Sequence, residues 1–356
     1  MRRAARRRII TSLACTVFTS WATAWASHTW QGTFTRLSLP AGATWPARDY
    51  YVYVPPTLAP EGERSLVVYL HGCTQTATEA ALGVRWNEFA DEQGLVVVYP
   101  EQRAPQDPAD FDGNAGRCWN WGQPAVYPRE QGEVASVAEI TKAVAAEHAI
   151  DPGRIYVAGT SAGAGMATTM AASYPDLYAA SASIAGAPYP LVDVTGALAY
   201  QRMGVYARVV PAIVFFGTAD PIAFPVLGPL TEMQWVGTND LADDGAANGS
   251  VSRLPAIENV GFEAPATFPS TEACLQPYRF PCLGGALGWT SYPYTVLRHT
   301  GADGSVVVEA WIIYGLSHAY PGGNPEGTFV DPTGPDVTRA CFEFFASHAR
   351  SGASGK

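Results

Sequence analysis

The chain has 356 residues, of which 47% are hydrophobic and 15% are charged. This composition is ample for a large buried core and argues against a disordered chain. With 32 acidic residues against 22 basic ones and a formal net charge of −10, the protein is a poor candidate for binding nucleic acid or an anionic membrane surface.

The first 26 residues have the pattern of a secretory signal peptide. An apolar run over 9–18 is too short to span a bilayer, and Ala24-Trp25-Ala26 has the small residues of a cleavage site. Five arginines precede the run: Arg2, Arg3, Arg6, Arg7 and Arg8. We expect cleavage near Ala26, export to the periplasm or the medium, and no stable membrane anchor, with an uncleaved anchor as the alternative. Removal of these arginines leaves 17 basic against 32 acidic residues, a net charge of −15, which suits a neutral substrate.

The first half of the chain alternates predicted strands and helices. The predicted strands cover 27–47 (an edge strand), 49–54, 65–71, 94–100 and 154–158. The predicted helices cover 77–93 and 131–149. Between them, residues 101–130 form a long loop rich in Pro and Gly, and loops of this length are usually functional.

The second half continues the alternation less regularly. Strands are predicted over 177–184, 212–217, 292–298 and 305–314, with a hairpin turn at 301–304, and helices over 230–241 and 335–349. The remaining segments, 187–209, 251–290 and 315–334, are predicted to be irregular, and whether 251–290 forms a lid stays open. The alternation predicts an α/β fold with a mostly parallel, doubly wound sheet and helices on both faces. We expect one catalytic domain over 27–350 and a flexible tail over 351–356.

Gly159-Thr160-Ser161-Ala162-Gly163 is a G-x-S-x-G motif between a predicted strand and a predicted helix. This context places a serine on a strained turn, where its hydroxyl stands clear of the sheet and the flanking glycines avoid collisions. A glycine-rich turn without chemical function is the alternative. As a nucleophile elbow, the motif predicts the α/β-hydrolase fold with Ser161 as the nucleophile.

A serine nucleophile needs a base and an orienting carboxylate, which follow it in this fold in the order Asp or Glu, then His. His318 lies in the loop after the last predicted strand, where it can reach back over the sheet. His299 is a second choice for the base. Asp220 ends the strand over 212–217 at the rim where ligands bind in open sheets, although an Asp-Pro turn is the alternative.

The oxyanion hole should use the N–H after the nucleophile, that of Ala162, and one from the loop after strand 65–71, that of Cys73. Five cysteines follow the signal peptide, and disulfides form outside the cell. Cys274 with Cys282 and Cys73 with Cys118 are the candidate pairs. Cys341, in the terminal helix, is then a buried free thiol.

Together these motifs resemble the polyhydroxybutyrate depolymerase family of serine esterases. The motifs are His71-Gly72-Cys73-Thr74-Gln75, Tyr99-Pro100-Glu101-Gln102, Asn114-Ala115-Gly116-Arg117-Cys118-Trp119-Asn120-Trp121, Asp151-Pro152-Gly153-Arg154, Ser161-Ala162-Gly163, Gly217-Thr218-Ala219-Asp220 and Ser317-His318-Ala319-Tyr320-Pro321-Gly322-Gly323. The resemblance implies a secreted or periplasmic esterase that cleaves short hydroxyalkanoate esters, often as polymer. It implies the triad Ser161, Asp220 and His318, the oxyanion donor Cys73, and substrate contacts from Trp119 and Trp121. Loop packing is the alternative for the two tryptophans.

We therefore expect a hydrolase of short-chain polyester or its oligomers that works through an acyl-enzyme. A feruloyl or acetyl esterase acting on plant polysaccharide is the near alternative, and a non-catalytic secreted polymer-binding protein is a more distant one. No metal-ligand spacing and no phosphate-binding loop occur in the sequence, so no metal and no cofactor are expected. The sequence leaves the oligomeric state open.

Overall fold

One large β-sheet organises the described part of the chain. The computed structural model describes residues 30–104, 116–122, 128–191, 193–261 and 291–350. The strands of the sheet are β1 (Thr33–Leu39), β2 (Arg48–Val54), β3 (Leu66–Leu70), β4 (Val96–Pro100), β5 (Ile155–Thr160), β6 (Ala180–Ile184), β7 (Ala212–Gly217), β8 (Ala256–Val260), β9 (Tyr294–Thr300) and β10 (Val306–Ile313). A separate short pair joins β11 (Tyr320–Pro321) to β12 (Val330–Asp331).

The sheet has the order β1-β2-β4-β3-β5-β6-β7-β10-β9-β8. Its central strands, from β4 to β10 in that order, pair in parallel. Antiparallel strands flank them on both sides. The central strands are buried along their whole length from β3 to β7, as their continuous apolar sequences predict. The mostly parallel sheet is therefore confirmed.

Helices cover both faces of the sheet. They are α1 (Ala77–Gly83), α2 (Trp86–Gln93), α3 (Gly132–Glu147), α4 (Ala162–Ser173), α5 (Ala197–Met203), α6 (Leu227–Asp244) and α7 (Val337–Ser347). One hydrophobic cluster packs α3, α4 and α6 on the sheet and includes Met170 and Trp235. The other packs α1, α2 and α7 on the opposite face and includes Trp86 and Phe345.

Two predicted segments differ from the structure. The predicted helix over 77–93 is two helices, because Arg85 adopts a left-handed conformation with φ 58° that interrupts the helical path. The segment over 187–209, predicted to be irregular, contains α5 and a 3-10 turn at Gly204–Tyr206. There the carboxylate of Asp193 accepts the N–H groups of Leu198 and Ala199 in the first turn of α5, which stabilises a short helix that has no capping side chain at its own first residue.

Other predicted elements are present in the structure with different bounds. The strand predicted over 177–184 begins only at Ala180, and the helix predicted over 230–241 extends to Leu227–Asp244. The segment 251–290, predicted to be irregular, contributes the edge strand β8. The hairpin of β9 and β10 is confirmed, with a register shift between Val306 and Val308. The predicted signal peptide, the tail over 351–356 and the pair Cys274–Cys282 lie outside the described residues.

The topology places the candidate site residues at the carboxyl ends of central strands of the sheet. Ser161 follows β5, Asp220 follows β7 and His318 follows β10. These strands run parallel, with β6 between β5 and β7, so their carboxyl ends meet at the same rim. Within the part of the chain that the structure describes, none of the helices is long and apolar enough to cross a membrane.

Phe345 holds the last helix on the sheet. Its ring stacks on Tyr156 of β5 with centroids 4.7 Å apart and lies 6.3 Å from Trp86 of α2. We predict that Phe345→Ala lowers the free energy of unfolding by about 3–5 kcal/mol, because it leaves a cavity under α7. Urea unfolding measures the change. Val205→Ala, at a side chain that is 94% exposed, is the control and should change the value by less than about 0.5 kcal/mol. An equal loss in both variants would contradict the prediction.

Candidate active site

The turn that carries Ser161 is strained as the motif requires. Ser161 has φ 57° and ψ −121° between β5 and α4, a conformation that is rare for a residue with a side chain. Both flanking glycines are in close contact with backbone. A Cβ on Gly159 would lie 2.3 Å from the carbonyl oxygen of Gly163, and one on Gly163 would lie 2.0 Å from that of Leu70. Because α4 lies so close to β3 and β5, only glycine fits at positions 159 and 163.

A chain of hydrogen bonds joins Ser161, His318 and Asp220. His318 Nδ1 lies 2.8 Å from Asp220 Oδ2, and His318 Nε2 lies 3.0 Å from Ser161 Oγ. The carboxylate only accepts, so Nδ1 carries the proton and Nε2 accepts the serine hydroxyl. Asp220 and His318 are buried, whereas Ser161 is partly exposed. This geometry allows the imidazole to remove the proton of the serine.

Backbone groups fix the carboxylate of Asp220. Its second oxygen, Oδ1, accepts the N–H groups of Ile222 and Ala223 at 2.8 and 2.9 Å. The Asp-Pro turn that the sequence left as an alternative is therefore present together with the contact to His318. The turn orients Oδ2 towards the imidazole.

His299, the second choice for the base, is bonded elsewhere. Its Nε2 lies 2.8 Å from Glu232 Oε1 and its Nδ1 lies 2.7 Å from the carbonyl oxygen of Ser252. Both ring nitrogens thus connect β9 to α6 and to the turn before β8. We assign His299 to the packing of these elements.

The loop after β3, residues 71–75, lies against the serine. A Cβ on Gly72 would be 3.3 Å from Ser161 Cβ, so Cys73 and Ala162 flank the nucleophile from two sides. Among the described residues, the Cys73 N–H has no protein acceptor. Of the two N–H groups expected to form the oxyanion hole, that of Ala162 follows Ser161 in the chain, and that of Cys73 belongs to the loop that lies against Ser161.

A disulfide ties this loop to its neighbour. Cys73 is bonded to Cys118, as predicted, and the Thr74 N–H donates to the carbonyl oxygen of Gly116. The loop that bears Cys73 and the segment 116–122 are thus held together at two points. Cys341 is a buried free thiol, as predicted, and burial raises its pKa well above the usual value.

The two tryptophans of segment 116–122 differ from each other. Trp119 is 2% exposed, its indole N–H donates to the carbonyl oxygen of His71 at 3.1 Å, and the Arg48 guanidinium lies over its ring. This burial favours loop packing, the alternative that the sequence left open, over a substrate contact for Trp119. Trp121 is partly exposed and packs on Gly165, where a Cβ would lie 2.5 Å from its ring. Trp121 remains a candidate contact.

A buried polar network supports the loop, and sequence reasoning missed it. The Glu133 carboxylate, at the start of α3, accepts from the side chain of Gln102 and from both the N–H and the side chain of Asn120. Arg48 donates to the side chain of Gln102 at 2.8 Å. Burial raises the pKa of Glu133, an effect that the nearby Arg48 opposes. Gln102 and Asn120 stand in the motifs that carry the resemblance, but Arg48 and Glu133 have no local signal.

A metal centre has no counterpart in the described ranges, since no group of three or more His, Cys, Asp or Glu side chains there could hold an ion.

Comparisons with known proteins point to one family. The family model described as Esterase PHB depolymerase matches residues 48–225. Poly(3-hydroxyalkanoate) depolymerase C of Paucimonas lemoignei is 32% identical over 278 residues, which are 75% of this chain and 56% of that protein. Acetylxylan esterase A of Emericella nidulans is 34% identical over 140 residues, which are 39% and 42% of the two chains. The chain thus spans about half the length of these relatives.

Among solved structures, an acetyl xylan esterase from Aspergillus awamori matches with a TM-score of 0.53 and 19% identity, over 80% of this chain and 94% of that one. At this identity the likeness concerns the fold, and it confirms the predicted α/β-hydrolase fold.

The close approach at Gly163 gives a testable prediction. Gly163→Ala should place a methyl group against the carbonyl oxygens of Leu70 and His71 and move the Ser161 turn. We expect it to lower the free energy of unfolding by about 1–3 kcal/mol and to slow labelling of Ser161 by a fluorophosphonate probe. Gly122→Ala is the matched control, because a Cβ there has open space. Normal labelling of Gly163→Ala would show that the turn tolerates the shift.

Proposed function

Since the chain belongs to the Esterase PHB depolymerase family, we propose that it is a secreted serine esterase that hydrolyses short-chain polyesters of the poly(3-hydroxybutyrate) type or their oligomers. The observation that carries this proposal is the hydrogen-bonded chain from Ser161 Oγ through His318 to Asp220. Its order in the sequence and its place at the carboxyl ends of β5, β7 and β10 are those of a catalytic triad in this fold.

The proposed reaction has two halves. In the first, His318 Nε2 removes the Ser161 hydroxyl proton as Oγ attacks the ester carbonyl, and the N–H groups of Cys73 and Ala162 stabilise the oxyanion. The imidazolium then protonates the departing alcohol, which leaves an acyl-serine. In the second half, the same imidazole removes a proton from water as the water oxygen attacks the acyl carbonyl, and the imidazolium then returns the proton to Ser161 Oγ as the acyl–Oγ bond breaks and the acid leaves. Asp220 keeps the Nδ1–H tautomer and stabilises the imidazolium.

An apolar rim beside the triad supports a polyester substrate. Ile222, Phe224 and Val226, which follow Asp220 directly, are 50%, 62% and 59% exposed. Leu191 and Val194, which follow the carboxyl end of the neighbouring strand β6, are also exposed. Apolar side chains fit the methyl branches of a polyester, whereas sugar sites need more polar contacts. The name of the Paucimonas lemoignei relative points to the same class of polymer.

The similarity to acetylxylan esterase A of Emericella nidulans favours a second candidate, an acetyl or feruloyl esterase acting on plant polysaccharide. A non-catalytic polymer-binding protein is less well supported, because binding alone does not require the three side chains to be aligned. Export is supported by the disulfide between Cys73 and Cys118, since such bonds persist in oxidising compartments.

The test compares wild type with Ser161→Ala on amorphous poly(3-hydroxybutyrate) and on arabinoxylan. We expect soluble hydroxybutyrate from wild type only, because removal of the nucleophile lowers turnover by about 10⁶-fold in triad enzymes. Circular dichroism checks that the variant is folded. Release of acetate or ferulate alone, lost in the variant, would replace the polyester with the polysaccharide substrate. Full activity of Ser161→Ala would overturn the proposed mechanism.

The apolar rim gives a separate prediction. We expect Phe224→Asp to reduce polymer degradation about 10-fold, because burial of a phenylalanine side chain contributes about 1.5–3 kcal/mol. Turnover of soluble p-nitrophenyl acetate should stay within a factor of about 2, since the triad is intact. Leu254→Asp, at a side chain that is 86% exposed just before β8, is the matched control. Equal losses on polymer in both variants would indicate an effect of surface charge rather than of the rim.

A further inference from the structure

Gly72, the residue between β3 and the proposed donor Cys73, has both of its backbone polar groups held by neighbouring side chains. Its N–H donates to Gln75 Oε1 at 2.9 Å, and its carbonyl oxygen accepts from His71 Nδ1 at 2.8 Å. Both side chains are buried, at 1% exposure for His71 and 6% for Gln75. We call these two side chains the Gly72 clamp.

The bond from His71 fixes more than the carbonyl group. The Gly72 oxygen and the Cys73 N–H belong to one planar trans peptide, in which the two bonds point in opposite directions. A donor that holds the oxygen on one side therefore orients the N–H towards the other. The imidazole of His71 and the proposed oxyanion thus lie at opposite edges of the same peptide group, each in line with one of its two polar bonds.

The imidazole itself has one orientation and one tautomer. His71 Nε2 accepts the N–H of Gln102 at 2.9 Å, so the ring proton is on Nδ1, where it reaches the Gly72 oxygen. Burial lowers the pKa of His71 to about 4, and the ring is neutral at neutral pH. The guanidinium groups of Arg48 and Arg117 oppose its protonation further.

Gln75 connects Gly72 to the loop that carries His318. Its Nε2 donates to both the carbonyl oxygen and the Oγ1 of Thr328, at 3.0 Å each. Thr328 lies in the segment between β11 and β12, in the long loop that also carries His318. With Oε1 on the Gly72 N–H and Nε2 on Thr328, the carboxamide cannot be flipped without loss of these bonds.

We propose that the Gly72 clamp positions the oxyanion hole: His71 and Gln75 hold the Cys73 N–H at a fixed angle to Ser161 and at a fixed distance from the histidine loop. This inference rests on the proposed esterase function and adds two positioning residues to it. The clamp acts on the transition state, where the oxyanion forms, and leaves the binding of the neutral ester unchanged.

The loop has other attachments, so variants of the clamp can fold. The disulfide from Cys73 to Cys118 and the bond from Thr74 to Gly116 remain without it. Thr76 with Glu79 also forms a capping box that starts α1 directly after the loop. Loss of the His71 side chain leaves the Gly72 oxygen with the long bond from the Gln75 N–H, at 3.4 Å, which loosens the angle of a single peptide rather than the whole loop.

The experiment measures kcat and KM on p-nitrophenyl butyrate, and the affinity of a phenylboronic acid that forms a tetrahedral adduct with serine. The variants are His71→Leu, His71→Asn and Gln75→Met. Loss of a whole oxyanion donor lowers kcat about 10²–10³-fold, so we expect a displaced donor in His71→Leu and Gln75→Met to lower kcat about 10- to 100-fold. Boronate affinity should fall in parallel and KM should stay within about 2-fold. His71→Asn should recover most of the loss, because its Nδ2 can replace Nδ1 as the donor.

His299→Asn is the matched control, since His299 is equally buried and also has both ring nitrogens bonded, but outside the site. It should leave kcat within about 2-fold. Unchanged kcat in His71→Leu, or an equal loss in His299→Asn, would overturn the clamp while wild type remains active. An inactive wild type on all esters would instead overturn the proposed function.

Discussion

The close contact between the first turn of α4 and the carboxyl end of β3 is the constraint on which the site depends. A Cβ on Gly163 would lie 2.0 Å from the carbonyl oxygen of Leu70, and a Cβ on Gly72 would lie 3.3 Å from Ser161 Cβ. Because these elements lie so close together, Ser161, the N–H of Ala162 and the loop of Cys73 occupy fixed relative positions before any substrate arrives. Electrostatic stabilisation of an oxyanion depends on such preorganisation, since donors that must rearrange contribute less to the rate. The strain at Ser161, with φ 57°, is maintained by the packing around it.

Under this contact lies a polar network that is buried and connected from end to end. Glu133 accepts from Gln102 and Asn120, Gln102 accepts from Arg48 and donates its N–H to His71, and Trp119 donates to the carbonyl oxygen of His71. A buried charge is costly unless its partners are all in place, so the network tolerates only one arrangement of the segment 116–122. The segment that bears the proposed oxyanion donor is therefore held by a network of buried side chains rather than by its own residues alone.

Local patterns in the sequence predict most of the fold and the proximity of Ser161, His318 and Asp220. Buried strands have continuous apolar sequences, the G-x-S-x-G motif determines a turn, and strand ends place Asp220 and His318 at one rim. The features that it did not predict depend on distant contacts. Asp193 stabilises α5 through hydrogen bonds that helix propensity does not predict. Arg85 interrupts a predicted helix, although arginine has a high helix propensity. Trp119 is buried because it bonds to a residue 48 positions earlier, and no local pattern separates that role from substrate contact.

The positions of the rim and the network suggest how one site can serve different esters. The exposed apolar side chains lie on the connections that leave β6 and β7. The groups that fix the proposed oxyanion loop belong to β2, α3, the segments after β3 and β4, and the segment 116–122. Under the proposed function, substitutions in the first set should change contacts with the substrate chain, and those in the second set should change the geometry around the reacting carbonyl. Among the described residues, none of the hydrogen bonds named for either set joins it to the other, so we expect their effects on free energy to be close to additive. A change from polyester to polysaccharide in such a fold would thus require a new rim on an unaltered oxyanion loop.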